Sequence, residues 1–87
     1  MDTLATIIQF AKDFNGGRIP LPYPRMGIDF YMVGHNASHQ FSLGLDTDGQ
    51  VWKMACGEGP DDQDGVPTLD ITLHRVTIDD LGYIGHW

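Results

Sequence analysis

Histidines and one cysteine are the residues of this sequence whose chemistry suits metal binding or nucleophilic catalysis. His35 and His39 flank a predicted turn and can approach each other, but zinc needs three or four suitable ligands and no third lies nearby. Cys56 is expected in or near the core, because cysteine is among the most buried residue types. The spacing of His74 and His86 adds no motif. We therefore predict no catalytic residue, no metal ligand and no cofactor.

Carboxylates dominate the second half of the chain. Residues 46–87 contain nine acidic and two basic residues, whereas residues 1–45 contain three of each, so the second half carries the whole net charge of -7. Eleven of the twelve acids are aspartates, whose short side chains hold the charge close to the backbone. Such a face can imitate phosphates or engage a positive groove on another protein. The predicted partner-binding residues are eight of these acids and one aromatic anchor: Asp46, Asp48, Glu58, Asp61, Asp62, Asp64, Asp79, Asp80 and Trp52.

The same acids also fit a solvated loop or a cation site. Aspartate is enriched in turns, so a solvated loop of a small protein would carry the same residues. Asp46 with Asp48, or Glu58 with the aspartates that follow it, supplies the oxygen ligands that Ca²⁺ prefers. Neither stretch has the twelve-residue calcium loop closed by a glutamate, so a calcium site is not predicted.

One amphipathic helix is predicted at the start of the chain, over Thr3–Phe14. Its apolar residues recur at helical spacing, and Asp2 or Thr3 is available as the N-cap. The Asn-Gly-Gly sequence at 15–17 is typical of a helix C-terminus. Three prolines then alternate through Ile19–Arg25, which predicts an extended connector.

Four strands are predicted after the connector. Alternating apolar residues place the first at 28–33 and the second at 40–45, and the Asp-Thr-Asp-Gly sequence at 46–49 forms a hairpin turn into a third at 51–56. Residues 57–67 are predicted to form a loop, followed by a fourth strand at 69–74. Thr77 and Asp80 have approximately the spacing of a capping box, so 78–83 is predicted to form a short helical turn.

These elements predict an α+β fold in which one N-terminal helix packs on a mainly antiparallel four-stranded sheet. The helix is expected to cover one face of the sheet, which carries Phe41, Leu43, Leu45, Ile71 and Leu73. The opposite face is expected to carry Tyr31, Val33, Trp52, Met54 and Val76, and to be covered by 83–87 or by a partner. If the free monomer leaves that face bare, self-association into a homodimer is expected.

Length and composition exclude several classes of protein. A chain of 87 residues is expected to form a single domain, 1–87. The negative charge argues against nucleic acid or an anionic membrane as a direct ligand, and favours a basic protein surface. The absence of a signal peptide or an apolar segment long enough to span a membrane predicts a cytoplasmic protein, and the lone cysteine agrees with a reducing compartment.

The sequence therefore predicts a small non-catalytic inhibitor. It is expected to occlude the basic surface of a nucleic-acid-binding effector or of a nuclease. In size, acidity and lack of a catalytic motif it resembles the inhibitors that phages and mobile elements encode against host defences, including anti-CRISPR proteins and DNA mimics. This resemblance is compositional and transfers no residue. Two alternatives remain open: an immunity protein against a nuclease toxin, and a small metal-dependent enzyme using His35, His39 and the acidic loop at 58–64.

Overall fold

The computed structural model describes residues 2–77 and 79–86, with side chains described as far as Tyr83. One helix and five strands are followed by a 3-10 helix: α1 (Thr3–Phe14), β1 (Tyr23–Arg25), β2 (Ile28–His35), β3 (His39–Leu45), β4 (Val51–Glu58), β5 (Leu69–Val76) and the 3-10 helix (Asp79–His86). The strands form one antiparallel sheet in the order β1-β2-β3-β4-β5, curved into a half-barrel. The α+β class and the C-terminal helical turn are confirmed, whereas the predicted number of four strands is wrong.

The additional strand is β1, which lies within the segment predicted as a connector. Pro24 is tolerated because β1 is an edge strand, where a missing N–H group leaves no gap in the sheet. Met26 and Gly27 both have positive φ, 55° and 74°, and form a two-residue turn that pairs Arg25 with Ile28. The prolines do fix an extended backbone, but its last three residues pair with β2.

Capping side chains fix both ends of α1. Asp2 is the N-cap, and its carboxylate accepts hydrogen bonds from the N–H groups of Leu4 and Ala5. At the other end, the Asn15 amide donates to the carbonyl oxygens of Ala11 and Met32, at 2.7 and 3.1 Å. The second of these bonds joins the end of α1 to β2.

The core lies between α1 and one face of the sheet. Ile7 and Ala11 are fully buried, and Leu81 of the 3-10 helix packs into the same cluster. The sheet contributes Val33, Leu43, Val51 and Val76, with Tyr31 and Leu45 packed at the margin.

The predicted faces were partly wrong. Directly opposite residues share a face, so the pairs Met54↔Leu73 and Cys56↔Ile71 place Leu73 and Ile71 on the face that also carries Trp52, away from α1. Tyr31, Val33 and Val76 lie instead on the helix side, since they contact the core cluster. The apolar pattern could not show this, because β2, β4 and β5 carry apolar residues on both of their faces.

The face that carries Trp52 also buries large apolar side chains. Phe30 and Met54 are only 1% and 4% exposed there, although α1 packs on the opposite face. The predicted cover by residues 83–87 falls mostly outside the described side chains; Tyr83 itself is exposed. Within 2–77 and 79–86, no helix is long and apolar enough to cross a membrane.

Candidate functional site

Two turns of the acidic half have the same sequence pattern, Asp-x-Asp-Gly, at 46–49 and 62–65. In the first turn, Asp46 Oδ1 accepts hydrogen bonds from the N–H groups of Asp48 and Gln50, at 2.9 and 2.8 Å. In the second, Asp62 Oδ1 accepts from the residues two and four positions later, at 2.8 and 2.9 Å. Each leading aspartate is therefore a turn-forming residue that fixes the local backbone.

The backbone of the two turns is also the same. Gly49 donates to the carbonyl oxygen of Asp46 at 3.2 Å, and Gly65 donates to that of Asp62 at 3.0 Å. Both glycines have positive φ, 83° and 75°. The predicted hairpin turn at 46–49 is confirmed, and the predicted loop after β4 contains a second copy of it.

The first turn is also held by aromatic and cationic side chains. The indole Nε1 of Trp52 donates to Asp46 Oδ2 at 3.0 Å, and the Arg75 guanidinium lies 5.4 Å from the centroid of the indole ring. The hydrogen bond from Trp52, followed by that from the Gln50 N–H, lowers the pKa of Asp46 below its ordinary value. Trp52 therefore supports the turn directly.

Asp80 has a comparable structural role at the start of the 3-10 helix. Its carboxylate accepts a hydrogen bond from the Thr77 N–H at 2.8 Å, and its own N–H donates to Thr77 Oγ1 at 3.3 Å. This reciprocal pair is the predicted capping box. The hydrogen bonds from Thr77 lower the pKa of Asp80.

The eight predicted acids thus divide into two kinds. Asp46, Asp62 and Asp80 accept hydrogen bonds and build turns. The others are exposed, and within the described residues their carboxylates accept no hydrogen bond and form no ion pair: Asp48, Glu58, Asp61, Asp64 and Asp79.

The structure does not bring these acids into one cluster. Asp46, Asp48, Asp79 and Asp80 follow the strand ends at the Val51↔Val76 pair, and we call them the turn group. The acids of 58–64, which we call the loop group, lie at the opposite end of β4. At about 3.3 Å per residue, the eight residues of β4 separate the two groups by roughly 25 Å.

A further polar cluster has no local signature in the sequence and was not predicted. Ser38 Oγ lies 2.8 Å from His39 Nδ1, and His39 Nε2 lies 3.1 Å from Asp70 Oδ2. His39 reaches Asp70 across Gly57, which lies between them in the sheet. A Cβ atom on Gly57 would meet the Ser38 carbonyl oxygen and lie 2.7 Å from His39 Cδ2. Only the pairing of three strands could have revealed this cluster.

We call Ser38, His39 and Asp70 the Ser38 cluster; the first two of these residues line a cavity of about 820 Å³. Residues that line it include His35, Cys56 and Glu58, and Cys56 is half-buried. The alternative of a metal site using His35, His39 and the acidic loop is not supported here. Among the described residues, no group of three histidines, cysteines or acids is placed to hold a metal ion.

The turn group, the loop group and the Ser38 cluster are therefore the three candidate sites within the described residues. No family model matches this chain, and comparison with curated proteins and with solved structures found no similar protein.

Proposed function

We propose that this protein is a non-catalytic inhibitor that docks on a basic surface of a nucleic-acid-binding protein or nuclease and occludes it. The observation that carries the proposal is that the acids have two different structural roles. Turn-forming aspartates hold the backbone, and neighbouring carboxylates project into solvent from it.

The turns hold the exposed acids on a preorganised backbone, which favours binding. Asp48 and Asp64 each follow a turn-forming aspartate by two positions, so their backbone is already fixed before a partner arrives. Binding to charges on a fixed backbone costs less conformational entropy than binding that must first order a flexible loop.

The charge distribution supports electrostatic steering. The second half of the chain carries the entire net charge of -7, and its exposed acids lie at both ends of β4. Opposite charges on a partner accelerate association, and salt screens this effect over roughly 8 Å at physiological ionic strength. A phage or mobile-element inhibitor of a host defence nuclease is the biological role that this chemistry favours.

The test compares charge reversals in the two halves of the chain. The protein is used to capture a partner from its native host, and the partner's nucleic-acid binding is then measured with and without it. Asp61→Lys with Asp64→Lys should slow association about tenfold at low salt, because steering charges are lost. The control, Asp13→Lys with Asp29→Lys, changes net charge equally in the neutral half. Equal slowing by both pairs, or unchanged nucleic-acid binding by the partner, would contradict the proposal.

A second candidate function, ester hydrolysis, is favoured by the Ser38 cluster. With the proton of neutral His39 on Nε2, facing Asp70, Nδ1 can accept the Ser38 hydroxyl proton while Oγ attacks an ester carbonyl carbon. Nδ1 would then return that proton to the departing alkoxide as the ester C–O bond breaks, and water would release the acyl group from Ser38 by the same route. Asn36 weakens this candidate. Its Oδ1 lies 3.1 Å from Ser38 Oγ and accepts the N–H groups of Ser38 and His39, so neither N–H can stabilise an oxyanion.

A serine-reactive fluorophosphonate tests the hydrolase candidate directly. Catalysis by this cluster predicts one covalent adduct on Ser38, lost in both Ser38→Ala and His39→Gln. An adduct that survives in His39→Gln, or no adduct in the wild type, would exclude it. Gly57→Ala provides a structural control, because its new Cβ would displace the His39 ring.

A further inference from the structure

Among the residues that the structure describes, the strand β5 is an open edge of the sheet. The N–H of Gly59 donates to the carbonyl oxygen of Thr68 at 2.7 Å, which extends the pairing of β4 with β5 by one step. Bonded and non-bonded pairs alternate in an antiparallel ladder, so Asp70, Thr72, His74 and Val76 bond to β4. The backbone groups of the other four residues point away from the sheet, and within the described chain they have no hydrogen-bond partner: Leu69, Ile71, Leu73 and Arg75.

The two edges of the sheet differ in protection. The edge strand β1 has three residues and contains Pro24, both of which discourage further pairing. The edge strand β5 has eight residues, contains no proline and pairs with β4 without a bulge. An edge of this length and regularity can accept one more strand.

Side chains of β5 specify what kind of strand would fit. Leu69, Ile71 and Leu73 form an apolar row on the face away from α1, and Leu69 is 70% exposed. The opposite face carries polar residues at 70, 72 and 74. An added strand would therefore need apolar and polar side chains in alternation.

Charge at the ends of β5 selects among the possible occupants. The loop group precedes Leu69, and Asp79 with Asp80 follows Val76. A second copy paired antiparallel along β5 would place its Asp79 and Asp80 beside the loop group of the first, so like charges would face each other at both ends. A strand with lysine or arginine at both ends meets opposite charge instead.

We propose that β5 binds an extended segment of the partner, with alternating apolar and polar residues at its centre and basic residues at both ends. This inference rests on the proposed function, because it names the part of the basic partner that the protein grips. Main-chain hydrogen bonds and the apolar row would hold the segment, and the acids would select it.

The probe is an acetylated, amidated peptide of alternating valine and threonine with two lysines at each end. Amide exchange of the intact protein is followed by NMR with and without this peptide. We expect the amides of Ile71 and Leu73 to exchange quickly in the free protein and to become protected by the peptide, with Thr72 protected throughout. The same peptide ending in glutamates should bind at least about tenfold more weakly, because its charge repels both acidic groups.

Two variants separate the backbone contact from the side-chain contact. Leu73→Ala removes the apolar side chain and keeps the outward N–H, whereas Leu73→Pro removes both. The proline variant should bind about five- to tenfold more weakly than the alanine variant, which corresponds to the net value of one hydrogen bond. Urea denaturation shows whether either variant has lost its fold. If one has, amide exchange in the wild-type protein still tests the inference.

The exchange experiment shows whether β5 binds the peptide, a second copy of the protein or neither. Peptide binding that protects only amides outside β5, or no binding of the lysine-ended peptide, overturns the inference. The charge-reversal comparison with the captured partner would still decide the proposed function independently. Protection of Ile71 and Leu73 that rises with protein concentration alone would overturn it in favour of a second copy.

Discussion

The two Asp-x-Asp-Gly turns have the same backbone but different surroundings. The Asp46 turn, residues 46–50, joins β3 to β4, and the second carboxylate oxygen of Asp46 accepts a hydrogen bond from Trp52. Asp62 lies beyond the ends of β4 and β5, and residues 60–70 are all exposed. The loop that carries Asp62 is tied back by the bond from Gly59 to Thr68 and by a hydrogen bond from the Thr68 hydroxyl to the Pro60 carbonyl.

This difference shows how one local motif can have two different roles. At the Asp46 turn, the hydrogen bonds of the motif connect to side chains of the sheet, so losing them should weaken the fold. At the Asp62 turn, the same bonds order a projecting loop, so losing them should disorder that loop more than it weakens the sheet. The first turn is therefore tied to stability, and the second is better suited to recognition.

Glycine substitution gives the largest expected difference between the two turns. Gly49→Val places a β-branched side chain at a φ of 83°, which should lower the free energy of unfolding by about 1–3 kcal/mol. Gly65→Val imposes the same strain at a φ of 75°, but the loop can open to relieve it, so we expect less than half of that loss. Urea denaturation of both variants measures the difference. Equal losses would show that the Asp62 turn is also required by the sheet.

Hydrogen bonding from Trp52 should make the Asp46 turn sensitive to acid. The pKa of Asp46 is lowered on folding, so its contribution to stability is present above the unfolded value, about 3.9, and is lost as pH falls through the lower folded value. Asp46→Asn should therefore flatten the fall of melting temperature in that acidic range. Asp48→Asn changes charge equally without removing a carboxylate hydrogen bond, and should retain the wild-type slope.

A double-mutant cycle sharpens this second prediction. Trp52→Phe removes the indole donor to Asp46 Oδ2, so it should lower the melting temperature and raise the pKa of Asp46 toward its ordinary value. Adding Asp46→Asn to Trp52→Phe should cost less than Asp46→Asn alone, because the shared hydrogen bond is already lost. Strict additivity would show that the indole N–H contributes nothing to the turn.

Local signals were enough to predict most of the fold from the sequence. The bounds of α1 follow from helical periodicity and its caps, and the hairpin at 46–49 follows from its turn residues. The strand β1 was missed because prolines usually argue against pairing, and its turn has Met26 at a φ that side chains other than glycine seldom adopt. The assignment of faces failed where β2, β4 and β5 carry apolar residues on both sides.

The candidate site was predictable only in part. Density of charge predicts that the acids are exposed, but it does not separate carboxylates that build turns from those that face solvent. Comparison of 46–49 with 62–65 in the sequence would have shown the repeated pattern and hence the turn-forming roles of Asp46 and Asp62. The contact between His39 and Asp70 spans 31 positions and depends on Gly57 between them, so no local pattern could show it.

The smallest expected effect on stability belongs to the exposed acids of the loop. Asp61→Lys with Asp64→Lys should change the free energy of unfolding by no more than about 0.5 kcal/mol, because neither carboxylate has a hydrogen bond or ion pair within the described residues. Asp62→Ala, between them, removes two hydrogen bonds to backbone N–H groups and should cost about 1 kcal/mol.

Measured together by urea denaturation, these variants decide whether the loop displays its acids or depends on them. A double reversal that unfolds the protein more easily than Asp62→Ala would mean that the exposed carboxylates support the fold, and the distinction between the two turns would fail. A neutral double reversal that still slows partner association separates the two functions of the loop: Asp62 shapes it, and Asp61 and Asp64 present the charge.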